Sequence, residues 1–463
     1  QPLVREKYIM IEPIISISGI RGIFGESLTP ENIVKYVTAF AKYTGRKKIV
    51  IGRDGRMGGE LVEKLIETTL LYSGCSVVNI GVAPTPSISL AVETLKAAGG
   101  ISITASHNPQ EWNGMKFINS KGIFLDADEN AALWKYFDDT SNIYVTADKV
   151  KQIEYYPGFL DYHISRVLSI SSLNIAKIKK KKFKVVVDCV NASGSKIIPD
   201  LLEKLGCRVI KVDCDTSGVF TRKPEPLPEN LKRTCREVKK NKADIGIVID
   251  PDADRLVIIT EKGEPFGEEN PITAVVKHVL SKAKPSKRIA AINLSTSRSV
   301  DDVVNSLGGK IFKSPVGEIN VIKKMKAVKA IVGGEGSGGV ILPEVHYGRD
   351  SLVGTAVILS EIAESGLKVS EYKNALPQYF IRKSKIQLEN INADSILEFL
   401  RNKYMGNRQN FEDGLRLDFD NGWANFRKSN TEPIIRIITE AASPEEAEQM
   451  QLKFNKEIAD FLK

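Results

Sequence analysis

The run Asp244-Ile-Gly-Ile-Val-Ile249 leads without a break into Asp250-Pro-Asp-Ala-Asp-Arg255. An isoleucine- and valine-rich segment this short, closed by a proline-bearing acidic turn, reads as a β-strand buried on both faces. Upstream of it, Lys184-Val-Val-Val187 and Gly206-Cys-Arg-Val-Ile210 read as two further strands separated by amphipathic helical stretches. Gly206 stands where the preceding helix needs a C′ glycine.

This phrase of strand, helix, glycine-led strand, helix, strand occurs three times. The other first strands are Lys47-Lys-Ile-Val-Ile51 and Lys287-Arg-Ile-Ala-Ala-Ile292, and the other second strands are Gly74-Cys-Ser-Val-Val78 and Gly308-Gly-Lys-Ile-Phe312. The remaining third strands are Gly100-Ile-Ser-Ile-Thr104 and Ala330-Ile-Val-Gly333. Such alternation predicts mostly parallel sheets with helices on both faces. The tail is different: strands over Tyr379–Gln387 and from Ile434, helices over Ala393–Tyr404 and from Ser443, and a hairpin of Leu415–Phe419 with Trp423–Arg427 around Asn421-Gly422. The expected fold is therefore α/β, with three similar α/β domains of mixed, mostly parallel sheet at 1–155, 156–262 and 263–378, and a smaller α+β domain at 379–463.

Open α/β sheets bind ligands beyond the carboxyl ends of their strands, so the loop after each third strand is where chemistry is expected. Those loops are Thr104-Ala-Ser-His-Asn-Pro109, Asp250 to Arg255, and Gly334-Glu-Gly-Ser-Gly-Gly339. Repeats packed around a common central cleft would assemble one site from several domains. Three alternating carboxylates, Asp250, Asp252 and Asp254, repel unless a cation is present, and hard oxygen ligands suggest Mg²⁺. An EF-hand fits poorly: its sixth position, a glycine, is Arg255 here, and Leu256 to Ile259 resume a strand. An aspartyl phosphatase would want Thr or Val where Asp254 stands.

Ser106, with His107 beside it and Lys116 ten residues on, is a nucleophile candidate, and a simple helix cap is the alternative for such a serine. Lys116 can move protons, and the segment Arg21-Gly-Ile-Phe-Gly25, read as a loop, offers another cation. A serine hydrolase fits poorly: there are only four histidines, and no Gly-x-Ser-x-Gly surrounds Ser106. Glu335 and Ser337, set among glycines, can present an acceptor and a hydroxyl to a polyol, unless the segment is a plain glycine turn. Arg427-Lys-Ser-Asn-Thr-Glu-Pro433 has the donors of a phosphate clamp in Arg427, Ser429, Asn430 and Thr431, and Arg436 adds a second cation. Together these describe phosphoryl transfer on a phosphorylated sugar.

The same residues resemble the α-D-phosphohexomutase superfamily, which includes phosphoglucomutase, phosphomannomutase/phosphoglucomutase and phosphoglucosamine mutase. All four signature loops occur in order: phosphoserine loop Thr104–Pro109, metal loop Asp250–Arg255, sugar loop Gly334–Gly339 and phosphate loop Arg427–Pro433. The resemblance implies that Ser106 is phosphorylated in the active form and that Ser106, Asp250, Asp252 and Asp254 hold Mg²⁺, with Arg255 assisting. It implies transfer of the phosphoryl group to O1 or O6, a hexose 1,6-bisphosphate that turns end for end, and Arg21 and Lys116 as proton-handling groups. Two departures bear on substrate choice: Gly338-Gly339 stands where many relatives have Gly-His, and Val316-Gly317-Glu318 where relatives have Val-Gly-His. His346 and Arg349 are expected to supply substitute substrate contacts. Phosphoglucosamine mutase and the dual gluco/manno enzyme rank together.

Composition sets the frame. The 463 residues are 42% hydrophobic and 27% charged, an ordinary globular balance with room for several domains. No apolar run approaches a membrane span of about eighteen residues, and Gln1 to Met10 has no signal-peptide core, so a cytoplasmic monomer or homodimer is expected. Five scattered cysteines without a Cys-x-x-Cys pair are expected to be reduced and structural. A net charge of +9 suits an anionic partner, whether nucleic acid, a membrane surface or a phosphorylated small molecule. The Lys177 to Lys184 cluster reads as the solvated edge before a strand, since no stacking aromatics accompany it, so no nucleic acid is expected. A metal-dependent sugar phosphatase and a basic nucleic-acid-binding protein are the competing readings.

Overall fold

Ile49, Val50 and Ile51 are wholly buried, as are Val185 to Val187 and Ala290 to Ile292. Each trio lies in an interior strand of a sheet. The computed structural model describes residues 12–17, 19–139, 144–388, 392–428 and 434–462. The chain divides into two compact units, Gln1–Pro265 with Pro343–Glu364, and Phe266–Leu342 with Ser365–Lys463.

In the first unit, β1 (Ile14–Ser16), β2 (Gly19–Ile23), α1 (Pro30–Tyr43), β3 (Lys48–Arg53), α2 (Gly59–Tyr72), β4 (Ser76–Val82), α3 (Thr85–Thr94), β5 (Gly99–Ile103), β6 (Trp112–Asn119), α4 (Ala127–Trp134) and β7 (Ile153–Tyr155) build a seven-stranded sheet ordered β1-β2-β6-β5-β3-β4-β7. Then α5 (Phe159–Leu168), α6 (Ile175–Lys181), β8 (Lys184–Asp188), α7 (Gly194–Lys204), β9 (Arg208–Val212), α8 (Lys232–Lys240), β10 (Ile245–Ile249) and β11 (Leu256–Thr260) give a four-stranded sheet ordered β11-β10-β8-β9. The lysine cluster before β8 is exposed as expected, but Lys177 to Lys181 lie on helix α6, which Asn174 caps. Its lysine-rich last turn suits the negative end of the helix.

In the second unit, α9 (Asn270–Lys282), β12 (Ile289–Asn293), α10 (Arg298–Ser306), β13 (Lys310–Ser314), α11 (Glu318–Val328), β14 (Val332–Glu335) and β15 (Gly339–Ile341) form the sheet β13-β12-β14-β15. After α12 (Ser351–Ser365), which belongs to the first unit up to Glu364, and α13 (Val369–Ala375), the tail folds as β16 (Phe380–Gln387), α14 (Ala393–Lys403), β17 (Arg408–Asn410), β18 (Leu415–Phe419), β19 (Gly422–Lys428), β20 (Ile434–Ala441) and α15 (Pro444–Phe461), with sheet order β16-β20-β19-β18-β17. That tail sheet is antiparallel throughout, and its core includes Ile396 and Leu400 from α14 and Phe454 and Ile458 from α15.

The three repeats share one topology. The first strand pairs in parallel with the second on one side and the third on the other, and a fourth strand returns antiparallel to the third. In the second repeat this is the strand expected from Leu256 to Ile259; in the first and third it corrects the three-strand phrase, and each expected loop is the connection of a hairpin. Two local expectations also shift. Arg21 to Ile23 belong to β2, where Arg21 pairs with Gly114 of β6. A Cβ at Gly114 would lie 2.3 Å from the Ile20 carbonyl, so its glycine lets the strands close. In the tail, Phe419 pairs with Gly422, so the hairpin turn is Asp420-Asn421 and not Asn421-Gly422. Gly422 is needed for packing, since a Cβ there would meet the Glu440 carbonyl at 1.9 Å. Among the described residues no helix is long and apolar enough to cross a membrane.

Candidate active site

Because the second and third strands lie on opposite sides of the first, the loops after the first and third strands meet at the switch point of the sheet. In the first sheet this places Asp54 against the serine loop. Thr104 donates from its hydroxyl to Asp54 Oδ2 at 2.6 Å and accepts the Ser106 amide at 2.7 Å. Arg56, fully buried, donates to Asp54 Oδ2 at 2.8 Å, to the Trp112 carbonyl at 2.7 Å and to the Ser106 carbonyl at 2.5 Å. This frame holds Ser106 at φ 51°, a left-handed conformation that costs a non-glycine residue about 1–2 kcal/mol.

The metal loop lies against it within the same unit. Four of its backbone carbonyls are engaged: Asp250 by the Ala253 amide, Pro251 by Ser193, Asp252 by the Thr85 amide and Ala253 by the Ser351 amide. The carboxylates of Asp250, Asp252 and Asp254 are thereby gathered, fully buried, with one oxygen of each within 4.8 Å of the others. Ser106 Oγ donates to Asp250 Oδ2 at 3.3 Å. Lys116, on β6 and buried, contacts Asp252 Oδ2 at 2.6 Å and Asp254 Oδ2 at 3.4 Å. Thr85 adds a hydroxyl to Asp252 at 2.8 Å, and Arg349 reaches Asp254 Oδ2 at 2.6 Å.

Burial, then repulsion from Asp254 and Asp252, pushes the Asp250 carboxyl well above the usual range. Against the same burial, Lys116 holds Asp252 down, and Arg349 and Lys116 hold Asp254 down. Burial opposes the charge on Lys116, but Asp252 and Asp254 outweigh it and raise its pKa. Burial together with Arg255 and Arg21 depresses His107 to about 3, so its imidazole, with Nδ1 3.3 Å from Ser106 Oγ, is neutral at pH 7. Arg21 donates to Asn108 Oδ1 at 3.0 Å. Arg255 faces Glu225 at 3.5 Å.

A divalent cation fits these residues. Asp252 Oδ1 and Asp254 Oδ1 are buried without a hydrogen-bond partner, which is costly for a carboxylate unless an ion completes it.

The second unit carries the remaining candidates. Glu335, at the end of β14, accepts from Asn293 Nδ2 at 2.8 Å and from the Gly317 amide at 3.0 Å. Ser337 sits half-buried in the turn between β14 and β15. Gly336 there packs closely on Glu269: a Cβ would lie 2.0 Å from both of its carboxylate oxygens, so the side chain or the turn would have to shift. Asp413 accepts the Val316 amide at 2.8 Å and pairs with Arg427 at 2.8 Å, joining the phosphate-loop arginine to the Val316-Gly317 turn. Arg436 is directly opposite Arg427 in the β19–β20 ladder. Ser429, Asn430 and Thr431 lie outside the described residues.

His346 is buried, as Ser106 and Lys116 are, with Nε2 3.1 Å from Asp350 Oδ2. Asp54, Arg56, Thr85, Asn293 and Asp413 were not foreseen. Asp54 and Asn293 did carry a signal, since each is the polar residue closing a first strand and each grips the third-strand loop of its own domain.

Sheets of this topology joined to a serine–carboxylate centre define an enzyme of phosphoryl transfer. Successive parts of the chain match the alpha/beta/alpha domains I, II and III and the C-terminal domain of phosphoglucomutase/phosphomannomutase, over residues 14–143, 161–263, 268–380 and 385–457. A phosphoglucomutase/phosphomannomutase of Thermococcus kodakarensis is 36% identical over 443 residues, covering 93% of this chain and 95% of that protein. A probable phosphoglucosamine mutase of Methanopyrus kandleri is 32% identical over 440 residues, covering 94% and 96%. Among solved structures, a phosphoglucomutase/phosphomannomutase family protein of Burkholderia thailandensis superposes with a TM-score of 0.82 at 26% identity, covering 96% of this chain and 97% of that one. The chain belongs to the phosphoglucomutase/phosphomannomutase family. It is a phosphohexomutase, an isomerase that moves a phosphoryl group within a phosphorylated sugar.

Proposed function

We propose that this enzyme interconverts hexose 1-phosphate and 6-phosphate through a phosphorylated Ser106 and a hexose 1,6-bisphosphate. The observation that carries the reading is the position of Ser106 Oγ, 3.3 Å from Asp250 Oδ2, in a carboxylate trio with two orphaned oxygens. Asp250, Asp252, Asp254 and the Ser106 phosphate would hold Mg²⁺, which when bound neutralises charge on the transferred group. The P–Oγ bond of Ser106 breaks as a bond forms to the sugar O1 or O6, and the hydroxyl proton passes to the protein. Lys116, which Asp252 and Asp254 hold protonated, would be freed to lose its proton when those carboxylates take Mg²⁺ and is the proposed proton carrier, and Arg21, Arg255 and Arg349 stabilise the phosphoryl charge. Neutral His107 orients Ser106.

Glu335 and Ser337 read the sugar hydroxyls, and Arg427, Arg436 and Ser429 to Thr431 grip the distant phosphate. Both ends of the bisphosphate must be accepted in turn. Glu318, one residue beyond the Gly317 amide bound by Glu335, puts a carboxylate where relatives have an imidazole. This favours an amino sugar, so glucosamine phosphate ranks ahead of glucose and mannose phosphates. The same proposal takes the domains as 1–155, 156–262, 263–378 and 379–463, and the protein as a cytoplasmic monomer or homodimer without a nucleic-acid role.

The deciding experiment measures kcat/KM for glucosamine, glucose and mannose 1-phosphates with Mg²⁺ and a trace of the matching 1,6-bisphosphate. Release of inorganic phosphate in place of the 6-phosphate would overturn the mutase mechanism, and a preference for glucose or mannose would overturn the sugar ranking.

A further inference from the structure

The first unit contains a second buried polar cluster, outside the carboxylate trio. His163 on α5 and His346 both direct Nε2 at Asp350 Oδ2, at 2.8 and 3.1 Å, and all three residues are buried. A carboxylate only accepts, so both imidazoles donate, and His163 Nδ1 then accepts from the Ser87 hydroxyl of α3 at 2.8 Å. The second oxygen, Asp350 Oδ1, takes the Leu352 and Val353 amides at 2.8 and 3.4 Å, capping α12.

A helix cap needs only one of these oxygens. The other ties together α3, α5 and the segment leading into α12. The residues flanking Asp350 both engage the metal loop: Arg349 Nη2 meets Asp254 Oδ2 at 2.6 Å, and the Ser351 amide donates to the Ala253 carbonyl at 3.2 Å. Arg349 therefore approaches Asp254 from a backbone that Asp350 anchors to two other helices. Although burial favours the neutral acid, His163 and His346 keep Asp350 ionised, well below the usual carboxylate range.

We propose that Asp350, clamped between His163 and His346, is a positioning residue for phosphoryl transfer that fixes Arg349 against Asp254. The proposal rests on the reading of the carboxylate trio as the transfer site, and it gives His346 a supporting role in place of substrate contact.

Asp350→Ser keeps a capping hydroxyl but removes the shared acceptor, and Arg349→Ala removes the group it positions. Each should lower kcat about 10- to 100-fold with KM for the hexose phosphate little changed. The double variant should be no slower than Arg349→Ala alone, because one residue acts through the other. His346→Gln, which retains a donor, should recover most of the activity lost in His346→Leu. Additive losses in the double variant, or full kcat in Asp350→Ser, would overturn the proposal. If Asp350→Ser does not fold, His346→Leu replaces it in the same cycle. An unphosphorylated, inactive wild-type enzyme would instead sink the underlying reading of Ser106.

Discussion

Arg56 donates a 2.5 Å hydrogen bond to the carbonyl of Ser106, while its own charge is met by Asp54 at 2.8 Å. A fully buried ion pair thus supports the backbone of the proposed nucleophile. Replacing Arg56 with methionine would leave Asp54 buried and uncompensated. Urea denaturation should show a loss of about 3–5 kcal/mol, with mutase turnover falling even where the protein remains folded.

Ser106 itself is strained at φ 51°. Ser106→Ala and Ser106→Gly should both abolish mutase turnover and the added phosphate mass on the peptide containing residue 106. Glycine adopts this conformation freely, so the glycine variant should be the more stable of the two by about 1 kcal/mol. Equal melting temperatures would remove the strain argument.

Lys116 is the cation between Asp252 and Asp254, at 2.6 and 3.4 Å. Lys116→Met should lower the melting temperature most in EDTA, where buried Asp252 loses its cation and Asp254 keeps only Arg349. Added Mg²⁺ should narrow the gap to wild type. A gap that is independent of Mg²⁺ would argue against a cation at the trio.

Glu269, beneath the sugar loop, is raised from 4.5 to about 8, chiefly by burial, against the opposing effect of the Ser297 amide. Its folded-state pKa exceeds its unfolded one, so the folded protein holds the extra proton between those values. Stability from this group is greatest below pH 4.5 and declines as pH rises through the window up to about 8. Glu269→Gln cannot ionise. Its melting temperature relative to wild type should climb from pH 5 to pH 8.5, and a constant difference would refute the shift.

Gly336→Ala forces a Cβ to within 2.0 Å of the Glu269 carboxylate. The Glu269 side chain or the turn that carries Ser337 must then move. KM for the hexose phosphate should rise about tenfold, with the Ser106 peptide still phosphorylated. Unchanged KM would separate this turn from sugar binding.

Much of the site was legible because its residues are local. Ser106, Asp250, Asp252 and Asp254 each lie within a few residues of a buried third strand, and strand periodicity alone places them at its carboxyl end. The supporting residues were harder to see. Arg56 follows the first strand of its repeat and becomes part of the serine loop only because sheet order sets β3 beside β5. The surroundings of His346 were hidden for a related reason: in sequence it is one of only four histidines and stands near Arg349, but its direction depends on Asp350 and α5. The fourth strands escaped notice where glycine and polar residues, as in Trp112–Asn119 and Gly339–Ile341, weaken the strand pattern.

By itself the sequence determined three repeats and a distinct tail, because strand and helix periodicities and helix-ending glycines are properties of neighbouring residues. It also determined which loops hold the acidic, serine and glycine groups. Only the tertiary structure decided which charges meet. Lys116 and Asp252 are 136 residues apart, and Arg349 and Asp254 are 95 apart. No local pattern encodes such pairs. They form because the packed sheets leave buried carboxylates that must find a compensating charge.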